Sequence, residues 1–327
     1  MLINARNVNE LFSEMFWTFK TSGIKVDTRN GPALRIATPV LTTVSQPRER
    51  VLFNSDRDCN PVFHLLEAVW MIAGRRDVQF PQLFNSRIGQ YSDDGNVFNA
   101  AYGYRWRHHF GYDQLTRVIE LLKSDPTTRQ AVVQIWDAGD LSKVSKDKAC
   151  NTQLMFEIQN GVLNLTVINR SNDVYFGYAG ANIVHMTFLQ ELVAAAVGVK
   201  LGAYRTFSTN LHLYTELYDS KRFLDMPPQS SDYDYYADGQ VIPLPIMLNR
   251  DYSGFMRDCE RFCENPFVER EYTHPFFEHV AYPMAMISHF RKSKYGTGEG
   301  WAAKVKAEDW RRAAFDWIQR RELKKIS

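Results

Sequence analysis

The sequence predicts an α/β protein, and three observations carry that prediction. Two alternating stretches, Leu154 to Ile158 and Val162 to Ile168, meet at Asn160-Gly161, the pair favoured where both central residues of a hairpin turn need positive φ. Pro61 to Ala73 and Ile183 to Val197 are apolar almost throughout at helical length, as buried helices are. Of the 327 residues, 45% are hydrophobic, enough for one large core with appendages. Composition shifts beyond Pro227, which divides the chain into a core over 1–225 and a partly helical C-terminal extension over 226–327 packed on it.

Taken in order, Val8 to Phe19 sets Leu11, Phe12, Met15, Phe16 and Phe19 three and four residues apart, the stripe of an amphipathic helix. Asp27-Thr28-Arg29-Asn30-Gly31 breaks the pattern with turn residues before a strand over Ala33 to Val40. The Pro61 helix is interrupted by one carboxylate, Glu67. A glutamate is rarely buried unpaired, so it serves either a structural ion pair or proton transfer. Asn99 to Arg107 clusters aromatics with arginines, either an ordinary packed loop or a stacking surface. Asp113 to Leu122 reads as a helix ended by Ser124-Asp125-Pro126, and Thr127-Thr128-Arg129-Gln130 leads into a strand from Ala131 to Trp136. The Ile183 helix stops at Gly198, and His185 within it reads as a hydrogen-bonded core group outside the site. Ser208 to Tyr214 alternates as a strand, and helical stretches follow around Asp251 to Cys263 and Glu308 to Arg321.

A net charge of +2 offers no basic excess for a nucleic-acid backbone. No apolar run approaches the ~20 residues of a membrane span and the N-terminus lacks a signal-peptide pattern, so a cytoplasmic protein without a membrane partner is expected. Cys59, Cys150, Cys259 and Cys263 show no metal-ligand spacing, and free thiols without a metal are expected. The closed hairpin brings Cys150, at the start of one strand, to the side of Arg170 at the end of the other. A neighbouring cation favours the thiolate, the form that attacks, whereas a cysteine in apolar surroundings stays protonated and inert. The polar run Asn169-Arg170-Ser171-Asn172-Asp173 argues for the first reading.

In their order, Cys150, Gln153, Arg170-Ser171-Asn172-Asp173, Gly177 and Asn182 resemble the thymidylate synthase and pyrimidine nucleotide hydroxymethylase family over most of Asn30 to Tyr214. The look is closest to its phage-type hydroxymethylases. The resemblance implies a thymidylate synthase-like fold, a large mixed β-sheet with a central buried helix, and a homodimer through one face. It implies that Cys150 adds to ring carbon 6 of a pyrimidine deoxynucleotide monophosphate, that carbon 5 thereby becomes nucleophilic, and that 5,10-methylenetetrahydrofolate supplies a one-carbon unit. By the same resemblance Arg29, Arg129 and Arg170 bind the 5′-phosphate, Arg129 across the dimer interface, with a hydroxyl contact from Ser171. Tyr102, in a Tyr-Gly-x-x-Trp-Arg segment, and Gln153 belong to the substrate site, and His212 and Tyr214 hold the sugar. Asp173 holds the pterin or its water, Trp106 and Tyr175 stack on the folate rings, and Glu67 manages protons through ordered water. Asn182 would read the base. An amide both donates and accepts at nitrogen 3 and the carbon-4 oxygen, which points to dUMP rather than dCMP.

Four departures from the family pattern stand out. Asn151 stands where synthases usually have His, and Gln130 replaces one arginine of a phosphate-binding pair, losing its charge and fork. Gly177 to Asn182, GYAGAN, is one residue longer than the usual run. The chain ends in Arg320-Arg321-Glu322-Leu323-Lys324-Lys325-Ile326-Ser327, where synthases have a short apolar tail that helps close the site. Poorer exclusion of water favours water over hydride at the exocyclic methylene, so the expected product is 5-hydroxymethyl-dUMP. Thymidylate synthase and dCMP hydroxymethylase are the alternatives within the family; an inactive nucleotide-binding relative and a thiol hydrolase are those outside it.

Overall fold

The computed structural model describes residues 1–216, 234–247, 249–293 and 296–326, so the division expected at 225/226 lies outside the described residues. Among the described residues, ten strands form two mixed sheets. The larger runs β1 (Leu2–Ala5), β4 (Val40–Val44), β9 (Lys200–Ser208), β7 (Val162–Asn169), β6 (Asn151–Gln159), β5 (Val132–Gln134), with the β1–β4 and β9–β7 pairs parallel. The smaller runs β2 (Gly23–Thr28), β3 (Gly31–Ile36), β10 (Leu211–Tyr214), β8 (Asn172–Asp173), with the β10–β8 pair parallel. The hairpin turn is as predicted, with Asn160 at φ 52° and Gly161 at φ 75°.

Two stretches expected as single strands are split between the sheets. Ala33 to Val40 breaks after Ile36 and resumes at Val40 in the other sheet, because Pro39 has no N–H for a ladder and restricts Thr38 before it. Ser208 to Tyr214 likewise bends at Thr209 and Asn210, between β9 and β10. Alternation marks the faces of a strand but cannot say that the chain changes sheets. These crossings place His212 and Tyr214 beside β8 rather than at the end of β9.

Helix α1 (Val8–Ser22) is capped by Asn7, whose side chain accepts from the N–H groups of Asn9 and Glu10, and it buries the five predicted apolar residues. Helix α2 (Pro61–Ile72) has Asn60 as its cap and Pro61 in its first turn, and α3 (Gln114–Ser124) is capped by Asp113. Helix α4 (Ala181–Val197) ends at Gly198, φ 88°, and lies between β7 and β9 on one side and α2 and α3 on the other. Enclosed in this way it has no solvent face, which is why its sequence lacks an amphipathic stripe. Contrary to the sequence reading, Val174–Val197 is long and apolar enough to cross a membrane by length and composition, but 78% of its most apolar window is buried inside the protein. Gln190 and Glu191 are buried within it, so it is the core helix.

Helices α5 (Tyr252–Glu264), α6 (Tyr282–Ser293) and α7 (Glu308–Ile326) pack on α2 and share one continuous apolar cluster with the sheets. The first and last match the expected stretches; α6 was not foreseen.

Candidate active site

Where the β6–β7 hairpin opens, the Arg170 N–H donates to the Cys150 carbonyl at 3.0 Å, so thiol and guanidinium are cross-strand neighbours. The guanidinium is locked. Its Nε donates to Ala149 O at 2.7 Å and its Nη2 to Lys148 O at 3.0 Å, and it lies 5.2 Å from the Trp136 ring centroid. Held by carbonyls, which do not cancel its charge, it brings Nη2 to 3.9 Å from Cys150 Sγ. The Tyr102 hydroxyl accepts from the Cys150 N–H at 3.4 Å. Burial pushes the thiol above its ordinary pKa; Arg170 and Arg29 pull it down, while Asp147 and Asp173 add to the rise. The expected pull of Arg170 toward thiolate therefore has the right sign, but desolvation outweighs it.

The smaller sheet supplies the opposite wall. Strand β8 sets Asp173 across from His212 of β10. Asp173 Oδ1 accepts from the Phe176 N–H at 2.7 Å, while Oδ2 is buried without a partner. Burial lifts this carboxyl to about 6, against the opposing pull of the Phe176 N–H and the Arg57 charge. Burial also lowers the pKa of His212, whose ring lies 4.9 Å from that of Tyr214. The Tyr214 hydroxyl accepts from Asn30 Nδ2 at 3.1 Å, tying β10 to the turn that carries the exposed Arg29. Ser171, half-buried, joins Arg170 to β8.

A wide turn over Val174–Tyr178 leads into the GYAGAN region, and in it the Ala179 N–H reaches back to Val174 O at 3.2 Å. A Cβ at Gly177 would come within 2.4 Å of Asn172 Oδ1 and 3.0 Å of Asn182 Nδ2, so glycine lets Asn182, in the first turn of α4, approach Asn172. Tyr175 is buried, with Arg57 5.0 Å from its ring centroid and Arg57 Nε donating to its carbonyl at 3.2 Å. The basic C-terminus also reaches this loop. Arg320 Nε and Arg321 Nη1 bind the Asp58 carboxylate at 3.0 and 2.6 Å, next to Arg57; the side chains of Lys324 to Ile326, and Ser327, lie outside the described residues.

Three expected site residues are placed elsewhere. Trp106 is 0% exposed, so neither face of its indole is open to a folate ring. Gln153 points to the outer face of the large sheet, its Nε2 donating to Gln134 Oε1 at 2.9 Å. Arg129 is exposed in the loop before β5 and makes none of the contacts of the Cys150 cluster among the described residues. Two residues outside the expected set adjoin it: Arg57, and His185, whose Nε2 lies 3.1 Å from Glu67 Oε2 across the α2–α4 contact. The signal for the second was the pairing of the one carboxylate in α2 with the one histidine in α4. Among the described residues no cluster suits a metal ion, and all four cysteines are free.

A thiol beside a fixed arginine, an aspartate and an asparagine at the start of a buried helix, and a mixed sheet behind them define the class: the chain belongs to the thymidylate synthase family, whose model matches residues 54–229. Within it, the chain is similar to the deoxyuridylate hydroxymethyltransferase of Pseudomonas phage M6, at 40% identity over 333 aligned residues covering 98% of this chain and 94% of that one. It is 39% identical to the deoxyuridylate hydroxymethyltransferase of Bacillus phage SP01, over 58% of this chain and 53% of the relative. A thymidylate synthase of Symbiobacterium thermophilum is 28% identical, over 56% of this chain and 65% of its own.

Proposed function

We propose that this chain is a dUMP hydroxymethyltransferase working through a covalent Cys150 adduct, with 5,10-methylenetetrahydrofolate as co-substrate. The observation that carries the reading is the Cys150 thiol 3.9 Å from the locked Arg170 guanidinium, in a chain alike over 98% of its length to a deoxyuridylate hydroxymethyltransferase. Arg170 and Arg29 bind the 5′-phosphate, with Ser171 adding a hydroxyl, and His212 and Tyr214 hold the sugar. Because burial raises the thiol pKa, the Cys150 proton passes to ordered water in the site as the sulfur adds to carbon 6. Asn182 Nδ2 donates to the carbon-4 oxygen as charge develops there, and Glu67 carries protons to and from that edge. Tyr102 holds the Cys150 backbone in place for the attack.

The residues present fit a folate. Asp173 Oδ2, buried without a partner, is an acceptor suited to a pterin N–H, with Tyr175 beside it; Trp106, sealed in the core, has no part. A methylene-bearing folate bound there supplies the one-carbon unit. A homodimer through the outer face of the large sheet belongs to the proposal. Val132, Met155, Thr166, Arg205, Thr43 and Asn4 form one cross-strand row on that face, with Val132 and Met155 40% and 39% exposed. Arg129 would act from the partner subunit, and Gln153 would be covered there. A reducing, cytoplasmic compartment suits four free thiols.

The test is to incubate the enzyme with dUMP and methylenetetrahydrofolate and weigh the nucleotide product. 5-Hydroxymethyl-dUMP with tetrahydrofolate supports the reading; dTMP with dihydrofolate makes the chain a thymidylate synthase. Asn182→Asp should shift relative turnover toward dCMP, and a wild type that already prefers dCMP overturns the base assignment. A fully active monomer in sedimentation removes Arg129 from the site.

A further inference from the structure

The Glu67–His185 contact is not explained by packing. His185 is 2% exposed, and neither ring nitrogen has an aligned hydrogen-bond partner, although Nε2 is 3.1 Å from Glu67 Oε2. A buried imidazole without partners is costly, and an apolar side chain would fill the same volume without that cost. His185 lies three residues after Asn182 on α4, so the two share a helix face, and Glu67 meets that face from α2. The carboxylate thus contacts a side chain one helical turn from the residue proposed to read the carbon-4 edge of the base. One turn before it, His64 is also buried, and desolvation with the charges of Arg57 and His185 holds its pKa well below the ordinary value, which leaves it neutral and no rival for the proton.

We propose that His185 is a positioning residue for Glu67 in the step that adds water, an inference that rests on the hydroxymethyltransferase reading. Once carbon 5 carries its exocyclic methylene, water attacks that carbon. The C–O bond forms, the exocyclic double-bond pair moves into the ring and onto the carbon-4 oxygen, and the water proton passes to Glu67 Oε1. The enolate then collapses, restoring the ring double bond and expelling Cys150 as thiolate. His185 donates Nε2–H to Oε2, which turns Oε1 toward the water.

His185→Leu and His185→Gln in the full-length enzyme test this. Three readouts are compared: turnover with dUMP and methylenetetrahydrofolate, dUMP affinity by calorimetry, and the rate of covalent complex formation with 5-fluoro-dUMP and the same folate by mass. The fluoro analogue cannot lose its carbon-5 substituent as a proton, so it reports sulfur addition and carbon transfer but not water addition. His185→Leu is expected to lose about a hundredfold in kcat while the affinity and the trapping rate stay near wild type; His185→Gln, which retains a donor, recovers most of the loss. Unchanged kcat in His185→Leu, trapping that falls in step with kcat, or a Gln variant as slow as Leu overturns the role. If His185→Leu does not fold, His185→Asn, polar but too short to reach Glu67, takes its place with the same expectations. A wild-type product of dTMP fails the functional reading instead, whatever the variants do.

Discussion

Two buried polar clusters touch helix α4 and are built in opposite ways. Around Glu191, nearly every group is paired: the carboxylate takes hydrogen bonds from Arg48 Nε at 2.9 Å, from Arg50 Nη2, and from the Ile246 N–H at 3.1 Å. Nearby, Asp309 Oδ2 accepts from the Tyr236 hydroxyl at 2.9 Å, leaving Arg50 Nη1 and Gln190 Oε1 over. Around the first turns of the same helix the polar atoms are not paired. Asn172 Oδ1, Asp173 Oδ2, Asn210 Oδ1, His185 Nδ1 and both amide atoms of Asn151 are buried without hydrogen bonds, and His185 Nε2 has only the unaligned Glu67 carboxylate at 3.1 Å. An unpaired buried polar atom costs stability, so a fold carries such atoms together only where a ligand or ordered water pairs them. One cluster ties the C-terminal segment to the core; the other is the proposed substrate site.

That contrast breaks if mutations in the two clusters act alike. The largest expected effect is in the site: Cys150→Ala should lower kcat by about four orders of magnitude or more, with dUMP affinity and melting temperature retained. Near-normal turnover in this variant ends the covalent mechanism. In the paired cluster Glu191→Ala leaves two arginines uncompensated, one of them fully buried, and should destabilise by about 3–5 kcal/mol in urea unfolding. A loss of activity with unchanged stability there would reverse the assignment.

Smaller effects sharpen it. Arg170→Ala removes the main cation opposing the rise of the Cys150 thiol, so alkylation of Cys150 by iodoacetamide at neutral pH should slow. No change in rate would mean that burial alone governs the sulfur. Asp309 titrates at about 7 in the fold against an ordinary 3.8, because burial disfavours its charge. Between those values the unfolded chain loses this proton first, so the carboxyl's contribution to stability falls as pH rises through the window. Asp309→Asn should flatten that part of the curve of melting temperature against pH from 4 to 7; a slope identical to wild type places the titrating group elsewhere.

Much of the fold was legible because local patterns were strong. The Asn160-Gly161 hairpin, the apolar stripe of α1 and the Gly198 stop each follow from residues a few positions apart, and the structure forms them all. Cys150 and Arg170 could be paired from sequence because the hairpin register links their positions directly. Trp106 could not be placed in the same way. An aromatic and arginine cluster has the same composition whether it stacks on a ligand or packs into the core, and here Arg105 and Trp106 are both in the core. His185 was passed over for the opposite reason: on a helix buried on every side no face is marked, so nothing local separates a core histidine from one opposite a carboxylate.

By itself the sequence determined the strand alternation, the helix ends, the apolar composition of α2 and α4, and the order of polar residues that names the family, because these depend on backbone preference and side-chain chemistry over short spans. Only the tertiary structure decided that the chain leaves the large sheet at Pro39 and at Thr209-Asn210, that Glu67 meets His185, and that Arg320 and Arg321 reach Asp58. It also decided the state of the Cys150 thiol. The attraction of Arg170 could be inferred from a neighbouring position, but desolvation depends on everything packed around the sulfur, and that is the larger effect on Cys150.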